Sequence, residues 1–397
     1  MKRLCLCLCL CLCLLLGCAP NEPTPDAPEA PALQVYREQY SDRRGFLSLS
    51  VAEQQNYDAL FVAVTEQTAD DVFVTTDQSG TKTLGLRVSL PTPLTSSAQV
   101  AALFTAFLGD NPAFFYIGST YSYEGYRTGS TDHYNALCLS FTMNAAERQT
   151  AQAQLDTAVA ALTEGLSILP PGEQALALHD RLALHCTYDQ KAAQSTTPDK
   201  TYPFAFSVYG ALVQQKAVCE GYARAYMLLC QQMGIPCTTV GGTEIATNGP
   251  HMWNLVTLDG EAYHTDVTWD DRPSGVLHVY YNLTAAEIGR THTFDADAVG
   301  QDAAATAENW YVKNNRQHLR YDRDAIAQAV AQRVAAGDTL IEWRFSPAHL
   351  PSIALFVQNR TWFAQEVEKH LPNGEKLWEY ESVFFKEDGV MVLKKRT

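Results

Sequence analysis

The stretch Gly249-Pro250-His251-Met252-Trp253-Asn254-Leu255-Val256-Thr257-Leu258-Asp259-Gly260-Glu261-Ala262-Tyr263-His264-Thr265-Asp266-Val267-Thr268-Trp269 decides how this chain is read. Two alternating runs flank Asp259-Gly260, a dipeptide that suits the positive-φ turn of a two-residue β-hairpin. With a two-residue turn, residues facing each other have numbers that sum to 519. Trp253 then faces Asp266, and His251 faces Thr268. His251 and Asp266 fall on one face as diagonal neighbours, with Cβ atoms roughly 7–8 Å apart or less. A carboxylate and an imidazole bridge that distance, so one local element supplies a base and the acid that orients it. A three-residue turn would break the parity. His264 shares the face of Asp266 and is the rival base, but it is mid-strand, whereas His251 opens its strand after Gly-Pro.

Upstream lies Lys216-Ala217-Val218-Cys219-Glu220-Gly221-Tyr222-Ala223. Ala223, Tyr226, Leu229, Cys230 and Met233 repeat at helical spacing, and Gly234 followed by Pro236 ends the run. Cys219 therefore starts a helix, where unpaired N–H groups and the positive dipole end favour an anion. A thiolate attacks an acyl carbon, an imidazole moves the proton, and a carboxylate fixes the imidazole, so Cys219, His251 and Asp266 are the candidate catalytic set. Cys230 lies on the apolar face and reads as structural; Glu220 reads as a surface residue that compensates the dipole. Trp253, Trp269 and Tyr209 are candidate cleft-lining residues, with core packing an equal or better explanation for each. The Cys219 N–H is one candidate oxyanion donor, and a side chain upstream such as Tyr209 another.

Val218-Cys219-Glu220-Gly221-Tyr222-Ala223, His251-Met252-Trp253-Asn254 and Asp266-Val267-Thr268-Trp269-Asp270-Asp271 together resemble the bacterial transglutaminase-like superfamily. Leu178-His179-Asp180, Tyr188-Asp189 and Tyr280-Tyr281-Asn282-Leu283-Thr284 fit the same pattern, so the resemblance spans about residues 173–295. It implies a papain-like α+β core with the cysteine helix packed on an antiparallel sheet. By motif, it implies Cys219 as nucleophile, His251 as base and Asp266 as orienting acid. Gln215 stands where a glycine is common, and Met252 where an alanine is common.

The rest of the chain frames this core. Lys2-Arg3 followed by the apolar run Leu4–Leu16 reads as an export leader, too short for a comfortable membrane span. It ends in Leu15-Leu16-Gly17-Cys18, which resembles a lipobox and makes Cys18 the candidate lipid-attachment residue. Domains are expected at 1–17 (signal peptide), 18–35 (flexible tether), 36–168 (N-terminal α/β), 169–296 (catalytic) and 297–397 (C-terminal α/β). In the first of the two companions, Ser50 and Glu53 form a capping box. Leu84, Leu86, Val88 and Leu90 alternate as a strand, and the aromatic stretch Phe114–Tyr126 is a candidate binding surface, with core and edge-strand packing the better explanation. In the second, Ile326, Val330 and Val334 mark a helix stopped by Gly337. Ile341, Trp343 and Phe345 share one face of a strand, and Asp388-Gly389 turns a last hairpin.

Composition bounds the partners. The 397 residues carry a net charge of −15, more negative once Lys2 and Arg3 leave, and no basic cluster offsets it, so no nucleic acid partner is expected. Of eleven cysteines, five lie in the leader and one is Cys18. Cys138, Cys186, Cys219, Cys230 and Cys237 remain, an odd number. No C-x-x-C pair, His/Cys cluster or calcium-loop pattern occurs, so neither a metal nor another cofactor is expected. The expectation is a lipid-anchored bacterial cell-surface thiol enzyme acting on protein or peptide amides, cell-wall peptide among the candidates. Hydrolysis is favoured over transamidation, and a non-catalytic binding or scaffold lipoprotein is the other class of reading.

Overall fold

In the computed structural model of the chain, the described residues are 43–66, 72–76, 82–196, 201–273, 275–372 and 376–396. The leader, the tether and Cys18 lie outside them. Their contacts gather the chain into two units, 1–158 and 159–397, and the segment expected as a C-terminal companion, 297–397, shares the second unit with the central segment. Among the described residues, no helix is long and apolar enough to cross a membrane.

The first unit packs helices on a four-stranded antiparallel sheet. Helix α1 (Val51–Thr65) begins where Ser50 Oγ accepts from Glu53 N and Glu53 reaches back to Ser50 N, the reciprocal cap expected from Ser-x-x-Glu. Strands β1 (Val72–Thr76) and β2 (Lys82–Leu94) precede α2 (Ser97–Asp110). Strands β3 (Ile117–Thr128) and β4 (Thr131–Phe141) complete the sheet in the order β1-β2-β4-β3. Tyr57, Leu60 and Val64 of α1 and Val100, Leu103 and Phe107 of α2 bury against Val88, Leu90, Leu137 and Leu139. The aromatic stretch supplies Phe114, Tyr116, Tyr121 and Tyr123 to this core, with β3 at the sheet edge. Helix α3 (Ala145–Thr163) crosses the unit boundary.

The second unit is α+β. Helix α4 (Pro171–His185) starts on Pro at its first position, where the missing N–H costs nothing. Helix α5 (Cys219–Gln232) lies against the antiparallel sheet of β5 (Cys237–Glu244), β6 (Pro250–Leu258), β7 (Glu261–Thr265) and β8 (His292–Phe294), in the order β8-β5-β6-β7. Buried polar groups fasten these layers. Asn254 Nδ2 donates to the Ala223 carbonyl of α5 at 2.9 Å, and Tyr226 OH donates to the Ala175 carbonyl of α4 at 3.0 Å. Asp259 and Gly260 take φ values of 52° and 82°, the two positive values of a type I′ turn, which sets the β6–β7 register.

A second sheet follows: β9 (Gln317–His318), β10 (Leu340–Phe345), β11 (Tyr380–Phe385) and β12 (Val390–Lys395), in the order β9-β10-β12-β11. Ile341, Trp343 and Phe345 share a core with Ile326, Val330 and Val334 of helix α6 (Arg323–Ala335). That core also holds residues of α7 (Leu350–Gln358) and α8 (Arg360–Glu368). The β11–β12 turn contains Asp388-Gly389, with Gly389 at φ 66°. The alternate residues of β10, Glu342 and Arg344, are buried as well and carry hydrogen bonds to the central segment.

Candidate active site

Three contacts fix where Cys219 sits. Thr187-Tyr188 pairs in parallel with Lys216-Ala217, Asp189 N donates to the Ala217 carbonyl at 2.8 Å, and Val218 N donates to the Ala205 carbonyl at 2.9 Å. The chain then enters α5 with Cys219 as its first residue and its side chain half-buried. Gly221 makes this approach feasible: a Cβ there would stand 2.7 Å from the Ala205 carbonyl oxygen and 2.7 Å from Ala217 Cβ. Gln215, at the expected glycine position, takes φ 57°, the left-handed region that favours glycine.

The hairpin places the base. The pairing follows the 519 rule from Leu258–Glu261 through Asn254–Thr265. Beyond that point the expectation fails: Trp253 does not face Asp266 and His251 does not face Thr268. Asp266 leaves the ladder as N-cap of the one-turn helix Val267–Asp270, its Oδ1 accepting from Trp269 N at 3.2 Å, and the pull of that cap ends the strand. Asp266 still meets His251, with Oδ2 2.7 Å from Nε2, both side chains almost fully buried. Burial disfavours a charged His251 ring. Asp266, and after it the nearby Cys219 sulfur, outweigh that penalty and push the ring up to about 10. Asp266 answers in the opposite sense: despite its burial, the His251 charge and hydrogen bond hold its carboxyl well below the usual carboxylate range. Nε2 is committed to Asp266, which leaves Nδ1 as the ring atom for the sulfur.

The remaining expected residues divide. Trp269 is part-buried beside the imidazole, 5.6 Å between ring centroids. Trp253 is 1% exposed and does not wall an open cleft; it packs in the core, its ring stacked 6.2 Å from His251 and its indole N–H donated to His264 Nδ1. His264 also gives Nε2 to the Gly300 carbonyl at 2.9 Å, so both ring nitrogens are taken. Burial lowers it to about 4, which keeps it neutral and removes it as a rival base. Tyr209 packs edge-on against Phe204 at 5.0 Å. Cys230 is fully buried, and Glu220 pairs with Arg224 one turn on at 2.9 Å.

Two neighbours of the set were not singled out as site residues. Tyr188, carried beside Cys219 by its short parallel pairing, has its hydroxyl pushed up to about 12 by burial and by the negative charges of Cys219 and Asp266. His292, fully buried on β8, stands with Nε2 3.3 Å from Asp266 Oδ2, out of line for a hydrogen bond. Its Nδ1 meets Thr291 Oγ1, and its ring lies 4.4 Å from Trp269 and 5.0 Å from His251. Tyr188 was visible in the sequence as part of a motif; His292 lies 26 residues past Asp266 with no local pattern to announce it. His251, Asp266 and His292 are one of two groups among the described residues close enough to hold a cation, the other being His179, Asp180 and His278.

A thiol at a helix start, near an imidazole that a buried carboxylate orients, is equipped for nucleophilic acyl transfer. Residues 159–269, which contain all three groups, match the family model for the transglutaminase-like superfamily. Kyphoscoliosis peptidase of Mus musculus and that of Homo sapiens are each 34% identical over 95 residues, 21% of this chain and 14% of theirs. The chain thus spans about one-seventh of those relatives. A crystal structure of a TGase is 17% identical, with 37% of this chain and 44% of that one covered, at a TM-score of 0.28. Within residues 159–269 the chain carries a domain of the transglutaminase-like superfamily.

Proposed function

We propose that this protein is a thiol enzyme that cleaves peptide or glutamine amides through a Cys219 thioester, and that it works on the bacterial cell surface, anchored by a lipid on Cys18. The observation that carries the chemistry is the 2.7 Å His251–Asp266 contact, with Cys219 near enough to the same imidazole to raise it. The Cys219 sulfur, its proton held by His251, attacks the acyl carbon, and the charged imidazole hands that proton to the departing amine as the C–N bond breaks. Water then attacks the thioester with neutral His251 as base, and the imidazole ends charged again. Asp266 holds the ring in one orientation throughout and stabilises its charged form. The first N–H groups of α5 have no partner within the helix, and that of Cys219 is the candidate oxyanion donor. Hydrolysis is preferred because the two named relatives are peptidases. The anchor and its surface location rest on the leader and on Leu15-Leu16-Gly17-Cys18.

The test incubates the protein with a glutamine-rich polypeptide and a primary amine, beside a Cys219→Ala control, and reads peptide masses. New chain ends or deamidated glutamines that vanish in the control support hydrolysis. Amine adducts that vanish in the control demote hydrolysis in favour of transamidation. Identical products from both proteins sink the thioester mechanism.

A further inference from the structure

A second cluster of titratable groups lies away from the thiol. His179 of α4 is fully buried, with Nδ1 2.8 Å from Asp180 Oδ1 and Nε2 3.2 Å from Asp270 Oδ2. His278 has Nε2 3.2 Å from the same Asp180 Oδ1 and Nδ1 2.9 Å from Glu342 Oε1. Each of the four ring nitrogens faces a carboxylate oxygen. A neutral imidazole carries a single N–H, so two neutral rings supply only two of the four hydrogens this arrangement needs.

The outer carboxylates are already committed as acceptors. Both oxygens of Asp270 accept from Tyr280 N at 3.1 Å, and Glu342 Oε2 accepts from His278 N at 3.0 Å and Tyr311 OH at 2.8 Å. With each ring N–H given to its outer carboxylate, the lone pairs of His179 Nδ1 and His278 Nε2 are left aimed at one oxygen of Asp180. Two missing positive charges converge on one point.

We propose that His179 Nδ1, His278 Nε2 and the Asp180 carboxylate bind one divalent transition ion of the zinc type. Asp270 and Glu342 are then the outer carboxylates that fix the two rings. Imidazoles backed in this way by a carboxylate are the common arrangement at zinc. The donor spacings also suit it: tetrahedral zinc with bonds of about 2.0–2.1 Å sets its ligand atoms about 3.3 Å apart, and the two nitrogens stand 2.8 and 3.2 Å from the shared oxygen. Asp180 lines a cavity of about 410 Å³ with Glu173, Tyr281 and Trp310, which leaves a coordination position open to solvent. Trp310 stacks on His278 at 4.4 Å with the planes nearly parallel and holds that ring in place.

The proposal departs from the expectation of no metal, which was read from linear spacing; the ligands lie up to 99 residues apart. It does not depend on the thioester chemistry. Asp270 is the last residue of the one-turn helix that Asp266 caps, so the ion would tie α4 and β10 to the segment carrying the triad carboxylate. The competing state is a network satisfied by two additional protons and no ion.

The experiment uses the full chain with accessible thiols first blocked by iodoacetamide, since none of the proposed ligands is a cysteine. After chelation and dialysis, zinc is titrated at neutral pH and bound metal is counted by mass spectrometry. The expected result is one zinc per chain with micromolar or tighter affinity. Asp180→Asn abolishes it, Glu342→Gln weakens it about 10–100-fold, and His292→Gln leaves it unchanged. Cobalt added to the wild type broadens the Trp310 indole signal, which locates the ion without relying on a variant that fails to fold. No stoichiometric zinc at micromolar free ion means a protonated network only and overturns the proposal. Zinc kept by Asp180→Asn but lost from His292→Gln overturns it too, because the ion then sits on the triad.

Discussion

Replacing Asp266 by Asn separates what this carboxylate does for the fold from what it does for the imidazole. Its Oδ1 caps the one-turn helix through Trp269 N, and an asparagine oxygen caps as well as an aspartate. Its Oδ2, 2.7 Å from His251 Nε2, becomes either an uncharged acceptor or an amide donor facing a ring nitrogen. Keeping the ring charged up to about 10 rather than the ordinary 6.5 corresponds to about 5 kcal/mol of preference for the charged form. Asp266 supplies the larger share and Cys219 the rest. Assigning about 3–4 kcal/mol to Asp266 predicts a fall in turnover of about 10²–10³-fold. The same change sends the His251 titration down from about 10 toward the ordinary 6.5, because burial then acts without its main opponent. The assay pairs turnover with NMR titration of ¹³C-labelled histidine rings, the His251 signal being assigned from its loss in His251→Gln. Melting curves check that Asp266→Asn remains folded. A His251 ring that still titrates near 10, or a turnover loss below tenfold in a folded variant, would refute the reasoning.

The same pair sets a pH dependence of stability. The raised His251 contributes fully below about 6.5 and loses its contribution as pH climbs through about 10, while the depressed Asp266 contributes only above about 4. Urea melts of wild type against His251→Gln should therefore differ most near pH 5–6 and converge toward pH 10; a gap that widens with pH contradicts the pairing. Gly221→Ala drives a Cβ to 2.7 Å from the Ala205 carbonyl, and overpacking of this kind costs about 1–3 kcal/mol by denaturant titration. Unchanged stability would mean that the α5 start is not tightly seated. Gln215→Gly relieves a left-handed backbone at about 1–2 kcal/mol and pays back about 0.5–1 kcal/mol in chain entropy. The expected net is a gain of about 0.5–1 kcal/mol, and a loss would show that the Gln215 side chain matters more than its backbone. Ser50→Ala removes the cap of α1 and should cost the first unit about 1 kcal/mol, read from its own thermal transition.

How much of this was legible depended on how far apart the partners lie in the chain. Asp259-Gly260 announced its turn because only a few residue types tolerate two positive φ values, and the turn fixed every pair down to Asn254–Thr265. The helix start at Cys219 was readable from its apolar period, and three separated motifs pointed to Cys219, His251 and Asp266, which the fold brings together. The break after Thr265 was not readable from alternation, since Val267 and Trp269 continue a strand pattern while Asp266 is also a strong N-cap; the cap prevailed. Trp253 illustrates another limit, because periodicity assigns a face and not what covers it, and here the face is closed by His264, His292 and Phe294. The β10 strand shows the consequence most plainly. Alternation read Ile341, Trp343 and Phe345 as its buried side, which holds, and left Glu342 and Arg344 unremarked. Both are buried, Glu342 against His278 and Tyr311 and Arg344 against Glu287 and the Val279 carbonyl. A charged residue on a strand is ordinarily solvated, so only the fold reveals that its partners lie across an interface, more than thirty residues away in sequence. Carboxylates buried at that cost, each matched to a specific imidazole or guanidinium, tie the second sheet to the segment that carries Asp266.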